Sequence, residues 1–126
     1  AAYTAELVIF DEIKEAAAVG KPIHIVTDFS QCSLSTPNIT PSSRLGVFTP
    51  NQLQVTDTTI TSSFKHFTLN NPKHPNTAVY EFVRYTLKSD NTLDLSYQTL
   101  DATTYAPLGE KMSMNCKIGA GVKVYL

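Results

Sequence analysis

The chain has 126 residues, 42% of them hydrophobic, and its ten basic and eleven acidic residues give a formal net charge of −1. This length is typical of one domain, so we expect a single domain over residues 1–126. The balanced charge gives no electrostatic footprint for a nucleic acid or an anionic membrane. No apolar stretch approaches the ~20 residues that span a bilayer. We therefore expect a soluble domain with no nucleic-acid partner and no membrane span.

A helix is predicted near the N-terminus. Thr4 is a candidate N-cap, Gly20 ends the segment, and acidic residues lie in its early turns, where the helix dipole favours negative charge. Apolar residues recur at three- and four-residue spacing from Leu7 and Phe10 to Ala17, which makes one apolar stripe. We expect this stripe to pack on a sheet.

The rest of the chain is predicted to form strands. Residues 23–29 are rich in β-branched side chains, whereas residues 33–52 combine prolines with Ser, Thr and Asn and are predicted to be an irregular loop. Further strands are predicted over residues 59–69, 78–88, 93–100, 112–118 and 122–126, with a loop at 70–76 and a hairpin turn at 89–91. The expected fold class is α+β: an N-terminal helix on a twisted, mostly antiparallel sheet that wraps the helix or closes toward a barrel.

The two cysteines, Cys32 and Cys116, lie far apart in the sequence, so they do not form a compact redox or zinc motif. They are either a long-range disulfide or two unrelated thiols. The sequence opens with two alanines and a tyrosine, which is what remains after a signal peptidase cuts behind small residues, although a trimmed fragment begins the same way.

Several stretches of the chain are characteristic: Gly20-Lys21-Pro22, Asp28-Phe29-Ser30-Gln31-Cys32, Tyr97 to Leu100, and Asn115-Cys116-Lys117-Ile118 running into Gly121-Val122-Lys123-Val124-Tyr125. In these stretches the chain resembles the VirK family of small exported proteins. The resemblance covers most of the chain in order and implies an exported protein, extracellular or periplasmic in a bacterium, with Cys32 and Cys116 joined. It implies no catalytic residues.

No assembled catalytic motif is found in the sequence. His24 and Asp28 share a strand face but would stand about 13 Å apart, so we expect them to be structural. His66 and His74 have no Cys, Asp or Glu at metal-ligand spacing. The serines that follow the first strand lie in no nucleophile elbow. We expect no enzyme activity, no metal and no cofactor.

Two groups of strand residues are candidates for ligand binding. Phe64 shares a face with His66, and Tyr80, Phe82 and Arg84 share another, which would make an aromatic surface or cavity with a few polar groups. The alternative is that these rings fill the core. We favour this alternative because a chain without Trp builds its core from Phe and Tyr.

The remaining sequence features leave the function open between three classes. Asn38 heads the sequon Asn38-Ile39-Thr40 and would carry a glycan if the source is eukaryotic. We expect a secreted, non-enzymatic protein that binds an extracellular partner or a small apolar ligand. The alternatives are a carrier with an apolar cavity inside its sheet, and an enzyme of unrecognised type. Glu81 and Asp94 could form a catalytic pair of carboxylates only if the folded chain brings them close together.

Overall fold

The computed structural model describes residues 5–35 and 44–126. Two-residue strands stand beside strands of up to 15 residues, and the helix has only nine residues. The elements in chain order are β1 Glu6–Leu7, α1 Phe10–Ala18, β2 His24–Asp28, a 3-10 turn Phe29–Gln31, β3 Ser33–Leu34, β4 Leu45–Phe48, β5 Gln54–Val55, β6 Thr59–Asn71, β7 His74–Lys88, β8 Thr92–Asp101, β9 Pro107–Lys117 and β10 Val122–Tyr125.

The strands form two antiparallel sheets. The four-stranded sheet has the order β1-β10-β2-β4, and the six-stranded sheet has the order β3-β9-β8-β7-β6-β5. In the larger sheet β6, β7, β8 and β9 are consecutive in the chain and pair as neighbours, so a long meander makes its centre. The two-residue strands β3 and β5 lie at its opposite edges and do not pair with each other. The sheet therefore stays open.

The α+β class predicted from the sequence is wrong, because the described chain is mainly β and its larger sheet does not close into a barrel. The predicted loop over residues 33–52 contains β3 and β4. The predicted first helical turn also differs, since Glu6 and Leu7 pair with Tyr125 and Val124 of β10 instead. An unpaired strand edge from the far end of the chain outweighs local helix propensity at these residues.

The core lies between the two sheets and the helix. Its fully buried side chains come from the helix, from both sheets and from the disulfide. Phe48 of β4 joins the sheets, since its ring stacks 4.4 Å from Phe64 and 5.1 Å from Tyr85 between centroids. Among the buried members of this core are Phe10, Ile13, Ile23, Ile25, Ile60, Leu87, Leu93, Val122 and Val124.

The helix depends on the meander for its first turn. Its N-cap residue Ile9 supplies no side-chain hydrogen bond, and the N–H of Phe10 donates instead to Oδ1 of Asn91 at 2.8 Å. Asn91 lies in the turn between β7 and β8 and has a φ of 64°, which asparagine tolerates better than most residues. At the other end Gly20 follows with a φ of 82°, as predicted for the helix stop.

Cys32 and Cys116 form a disulfide, with their Cα atoms 4.5 Å apart. Both half-cystines are buried, and the bridge ties the segment after β2 to β9 of the larger sheet. Gly121 lies against this bridge: a Cβ at that position would come within 2.9 Å of the Gln31 carbonyl oxygen and 3.0 Å of the Cys32 Sγ. The absence of a side chain at Gly121 is therefore what lets β10 begin beside the bridge.

Candidate functional site

The sequence-predicted binding residues lie on two different faces of the six-stranded sheet. We call the face that carries Phe64 and Tyr85 the inner face, because it packs on the core, and the opposite one the outer face. Phe64 pairs with Val83 and Lys65 pairs with Phe82, so alternate residues of each strand point to opposite sides. The structure therefore separates Phe64 and His66, on the inner face, from the rest of the predicted group, which is on the outer face.

The aromatic rings divide between the core and the surface. Phe64 is half-buried and stacks within the core, as the core alternative expects, and Tyr85 beside it is 3% exposed. Phe82 in contrast is 39% exposed, and Phe67 on the neighbouring strand is 52% exposed. The expectation that these aromatic residues fill the core thus fails for Phe82.

Four aromatic residues form a cluster on the outer face. Tyr80 stacks on Tyr105 with centroids 5.4 Å apart, while Phe67 meets Tyr80 edge-on at 5.7 Å and Phe82 meets Tyr105 edge-on at 6.2 Å. The Nζ of Lys65 lies 4.8 Å from the centre of the Tyr80 ring and donates to the Tyr105 hydroxyl at 3.1 Å. This hydrogen bond raises the pKa of Lys65. We call these four rings and Lys65 the aromatic cluster.

Tyr105 reaches the cluster through the turn between β8 and β9. The Asp101 carboxylate accepts hydrogen bonds from the backbone N–H groups of Thr103 and Thr104, and these bonds lower its pKa. The N–H of Tyr105 then donates to the Asp101 carbonyl oxygen, and Tyr105 has a φ of 59°. The turn holds Tyr105 against Tyr80 and Phe82 of β7, so the aromatic cluster contains a loop residue as well as strand residues.

Two adjoining hollows open on the outer face, with volumes of about 510 and 460 Å³. They share Arg84, Ser96 and Lys111. The first extends over β9 toward β3, and the second extends toward β6, where Lys65 and Phe82 line it. We call the two hollows together the outer groove. Each falls within the size range of ordinary ligand sites.

The outer groove carries uncompensated positive charge. Arg84 and Lys111 are exposed, and neither has a hydrogen bond or ion pair within the described ranges 5–35 and 44–126. Lys65 adds a third cation at the aromatic end. The carboxylate of Asp94, which lines the first hollow, already contacts Lys88 and Asn115. The groove therefore offers cations to a ligand rather than carboxylates.

The negative charge of Asp94 is balanced by neighbouring side chains. Its Oδ2 lies 2.9 Å from Nζ of Lys88, and its Oδ1 accepts from Nδ2 of Asn115 at 2.8 Å. The Asn115 hydrogen bond and the Lys88 ammonium together hold the pKa of Asp94 below its usual value. It stays ionised but has its charge balanced by Lys88.

The inner face carries a polar network where the core ends. Glu81 accepts hydrogen bonds from Tyr97 at 2.8 Å, from Asn71 at 3.0 Å and from the ring of His66 at 3.0 Å. Asn71 is 4% exposed, and Thr99, which donates to the Tyr97 hydroxyl at 3.2 Å, is 6% exposed. Buried polar groups are tolerated here because they satisfy one another.

The hydrogen-bond network favours the ionised form of Glu81. Burial acts to raise the pKa of Glu81, but the hydrogen bonds from Tyr97, His66 and Asn71 outweigh it, so this pKa lies below its ordinary value. Burial, assisted by the Glu81 carboxylate, raises the pKa of Tyr97. A histidine oriented by a carboxylate is a common acid–base arrangement. Both carboxylate oxygens are, however, engaged within the network.

The other catalytic candidates have structural partners. His24 hydrogen-bonds Oγ1 of Thr49 at 2.7 Å. The Asp28 carboxylate accepts from both the N–H and the hydroxyl of Ser30 and from the Gln31 amide, so it caps the 3-10 turn. The hydrogen bond from the Ser30 hydroxyl is the main cause of its lowered pKa.

The carboxylate pair considered from the sequence does not form. Glu81 lies on the inner face and Asp94 on the outer face. Over residues 5–35 and 44–126, no group of three or more His, Cys, Asp or Glu side chains is placed to hold a metal ion. Asn38 lies outside the described residues.

Sequence reasoning missed four residues of this surface. Lys65 and Phe67 alternate with the chosen Phe64 and His66, so the same two-residue period, applied to the other face of β6, would have found them. Lys111 lies in a β9 irregularity, where the register slips opposite the segment between Tyr97 and Thr99, and Tyr105 lies in a loop. Local pattern gives no signal for these two.

Fold and groove together define a two-sheet antiparallel β domain with an exposed aromatic and basic face. A model of the VirK protein family matches residues 6–105. The chain therefore belongs to the VirK family, as the resemblance noted from the sequence implied.

Solved and curated relatives agree with this assignment. A crystal structure of a VirK family protein from Legionella pneumophila superposes with a TM-score of 0.88 at 32% identity, covering 98% of this chain and 100% of that one. An uncharacterized protein of Sinorhizobium fredii is 26% identical over 94% of this chain and 81% of its own length. An uncharacterized protein of Rhizobium radiobacter is 27% identical over 88% and 75%.

Two further observations bear on the environment of the protein. In the part of the chain that the structure describes, no helix has the length and apolar character needed to cross a membrane. The disulfide between Cys32 and Cys116 is typical of an oxidising, non-cytoplasmic compartment.

Proposed function

We propose that this VirK family member is a secreted protein, periplasmic or extracellular, that acts by binding and not by catalysis, and that the outer groove and the aromatic cluster are its binding surface. The disulfide supports the compartment. Family membership is compatible with a binding role, and the surface chemistry supports the location of the site.

The observation that carries this proposal is the coincidence of unpaired cations and exposed rings on one concave face. Arg84 and Lys111 have no partner in the described chain, and Phe82, a member of the aromatic cluster, lines the same hollow as both cations. None of these side chains belongs to the core cluster. Arg and aromatic residues are the types enriched at binding hot spots, since they combine apolar area with directed hydrogen bonds.

The two alternative functions have weaker structural support. A carrier of the predicted kind needs a sheet closed around an apolar cavity, and this sheet is open, with its hollows on the outer face. An enzyme would be centred on the His66–Glu81 pair. That pair contacts Tyr97 and Asn71, and within residues 5–35 and 44–126 no Ser, Thr or Cys nucleophile hydrogen-bonds His66.

The proposal is tested with a panel of probe classes: neutral and acidic oligosaccharides, nucleotides, acidic peptides and anionic vesicles. The wild type and the groove variants Arg84→Glu and Phe82→Ala are titrated with each probe by calorimetry. Lys123→Glu and Val47→Ala are matched controls, because Lys123 and Val47 are exposed on the other sheet.

We expect at least one class to bind the wild type and both controls but neither groove variant. Binding that survives both groove substitutions would overturn the proposed surface. Turnover of a probe that disappears in His66→Ala, with the fold intact by circular dichroism, would overturn the non-enzymatic role.

A further inference from the structure

We infer that the ligand of the outer groove is an acidic oligosaccharide. This inference rests on the proposed function and adds the class of ligand to it.

The side chains at the aromatic end are arranged as a ring platform bordered by cations. Phe82 pairs with Lys65 on one side and with Gln98 on the other, and Lys111 follows at the irregularity opposite Gln98. Arg84 stands two residues along the same strand as Phe82, on the same face. The apolar face of a sugar ring that stacks on Phe82 would therefore lie near three cationic side chains, Lys65, Arg84 and Lys111.

The groove continues from this platform as a polar trench across the sheet. It runs from β6 over β7, β8 and β9 to β3, and four strand spacings give it a length of about 19 Å. Hydroxyl and amide groups follow one another along it, and they can donate and accept hydrogen bonds to a chain of hydroxyls. They are Ser33, Thr86, Ser96, Gln98, Ser113 and Asn115.

The charge of the trench selects an acidic ligand over a neutral one. Lys65, Arg84 and Lys111 face the groove, whereas its carboxylate, Asp94, is balanced by Lys88 and Asn115. A guanidinium binds a carboxylate or sulfate through two parallel hydrogen bonds, which a neutral hydroxyl cannot match. A linear ligand with many hydroxyls and repeated acidic groups fits this pattern.

The backbone beneath the groove argues against an extended peptide. Peptides that add to a sheet use unpaired backbone N–H and C=O groups of an edge strand. Beneath the centre of the groove lie β7 and β8, whose backbones pair with neighbours on both sides, and at its far end Met114 and Asn115 of β9 pair with β3. Recognition must come from side chains, which suits a saccharide.

The arrangement of rings argues against a nucleic acid. Single-stranded nucleic acids stack successive bases on successive aromatic side chains. Of the four rings in the aromatic cluster only Phe82 lines the groove, and Tyr80 and Tyr105 stack on each other beside it. Among the described residues, the hollow beyond Phe82 is lined by no aromatic side chain, so it offers a second base no platform.

The test titrates the full chain with three acidic tetrasaccharides, namely a galacturonate, a hyaluronan and a heparin tetramer, by calorimetry. The methyl-esterified galacturonate tetramer is the matched uncharged ligand. Arg84→Glu, Lys111→Glu and Phe82→Ala are the groove variants, and Lys123→Glu is the charge control on the other sheet.

We expect at least one acidic tetramer to bind, with affinity that falls as salt is added. Each groove substitution should weaken binding about tenfold or more, since it removes a charge-assisted hydrogen bond or the ring platform. Lys123→Glu should bind as the wild type does, and the methyl ester should bind more weakly than the acid.

Two results would overturn the inference while leaving the proposed function intact. One is equal binding of the acid and its methyl ester. The other is that no acidic tetramer binds, whereas a nucleotide or an acidic peptide binds and is lost in the groove variants. If no probe depends on the groove residues, the proposed function fails as well.

Discussion

The inner and outer faces of the six-stranded sheet use the same strands for different purposes. Phe64 and Tyr85 on the inner face pack with Phe48 of the other sheet, and Tyr85 is 3% exposed. On the outer face Phe82 and Phe67 are 39% and 52% exposed. Neighbouring residues of one strand thus belong to the core and to the surface in turn. Aromatic content alone does not reveal which of them lie in the core and which lie on the surface.

The charged groups differ between the faces in the same way. On the inner face Glu81 has a hydrogen-bond donor from each of three side chains, Tyr97, Asn71 and His66. On the outer face Arg84 and Lys111 have no partner within the described residues. Buried polar groups must be satisfied inside the protein, whereas exposed cations are satisfied by water until a ligand replaces it. Four predictions test this difference between the two faces.

The largest effect is expected where the disulfide ties the two parts of the core together. The double variant Cys32→Ala, Cys116→Ala should lose roughly 2–4 kcal/mol of unfolding free energy, against about 4.6 kcal/mol in the chain-entropy model for a loop this long. Urea unfolding followed by circular dichroism measures it. Reductant should destabilise the wild type but leave the double variant unchanged, and a loss below about 1 kcal/mol would contradict the prediction.

The second prediction compares one substitution on the two faces. Phe64→Ala should cost about 3 kcal/mol, because it empties the space beside Phe48 and Tyr85. Phe82→Ala should cost less than about 1 kcal/mol, because an exposed ring leaves little cavity behind. The same urea experiment measures both. Equal losses would show that the outer rings are structural and would weaken their assignment to binding.

The third prediction concerns Asn91, which connects the meander to the helix on the covered side of the sheet. Asn91→Ala should cost about 2 kcal/mol, since it removes the cap on Phe10 and places alanine at a φ of 64°. Asn91→Gly also removes the hydrogen bond to Phe10, but glycine adopts a positive φ without strain, so this substitution should cost about half as much. Asn91→Asp keeps an acceptor and should be nearly neutral; if it is as damaging as alanine, the cap is not the cause.

The smallest effect concerns the pH dependence supplied by Glu81. Its folded-state pKa is lowered from 4.5, so its contribution is fully present above that value and is lost as the pH falls through the lower folded value. Glu81→Gln should therefore flatten the decline of stability as the pH falls below 4.5, measured by urea unfolding. Glu110→Gln, at an exposed position, is the control. An unchanged slope in Glu81→Gln would contradict the network.

Much of the strand pattern could be predicted because it is local. The three-residue turn before Thr92 and the alternation that separates Tyr80 from Val79 are as expected. The two-residue strands could not be predicted, because each has too little sequence to show a period. Ser33 and Leu34 become a strand only because Asn115 and Met114 offer them an edge.

The proposed binding surface could be predicted only in part. Tyr80, Phe82 and Arg84 follow from alternation along one strand. Their neighbours across the sheet depend on the register, which places Lys65 opposite Phe82, and on the β9 irregularity, which contains Lys111. A shift of one residue would have reversed these faces, and the sequence of one strand does not specify its register.

The long alternating strands and the helix stop at Gly20 could be predicted from neighbouring residues, and the cysteine pair from family resemblance. Three features came from the folded chain instead: it is mainly β with an open sheet, Phe64 and Phe82 lie on opposite faces, and Tyr105 contacts Lys65. The physical reason is that propensity and alternation act over a few residues. Strand order, register and the packing of the two sheets are set by contacts between residues far apart in the chain.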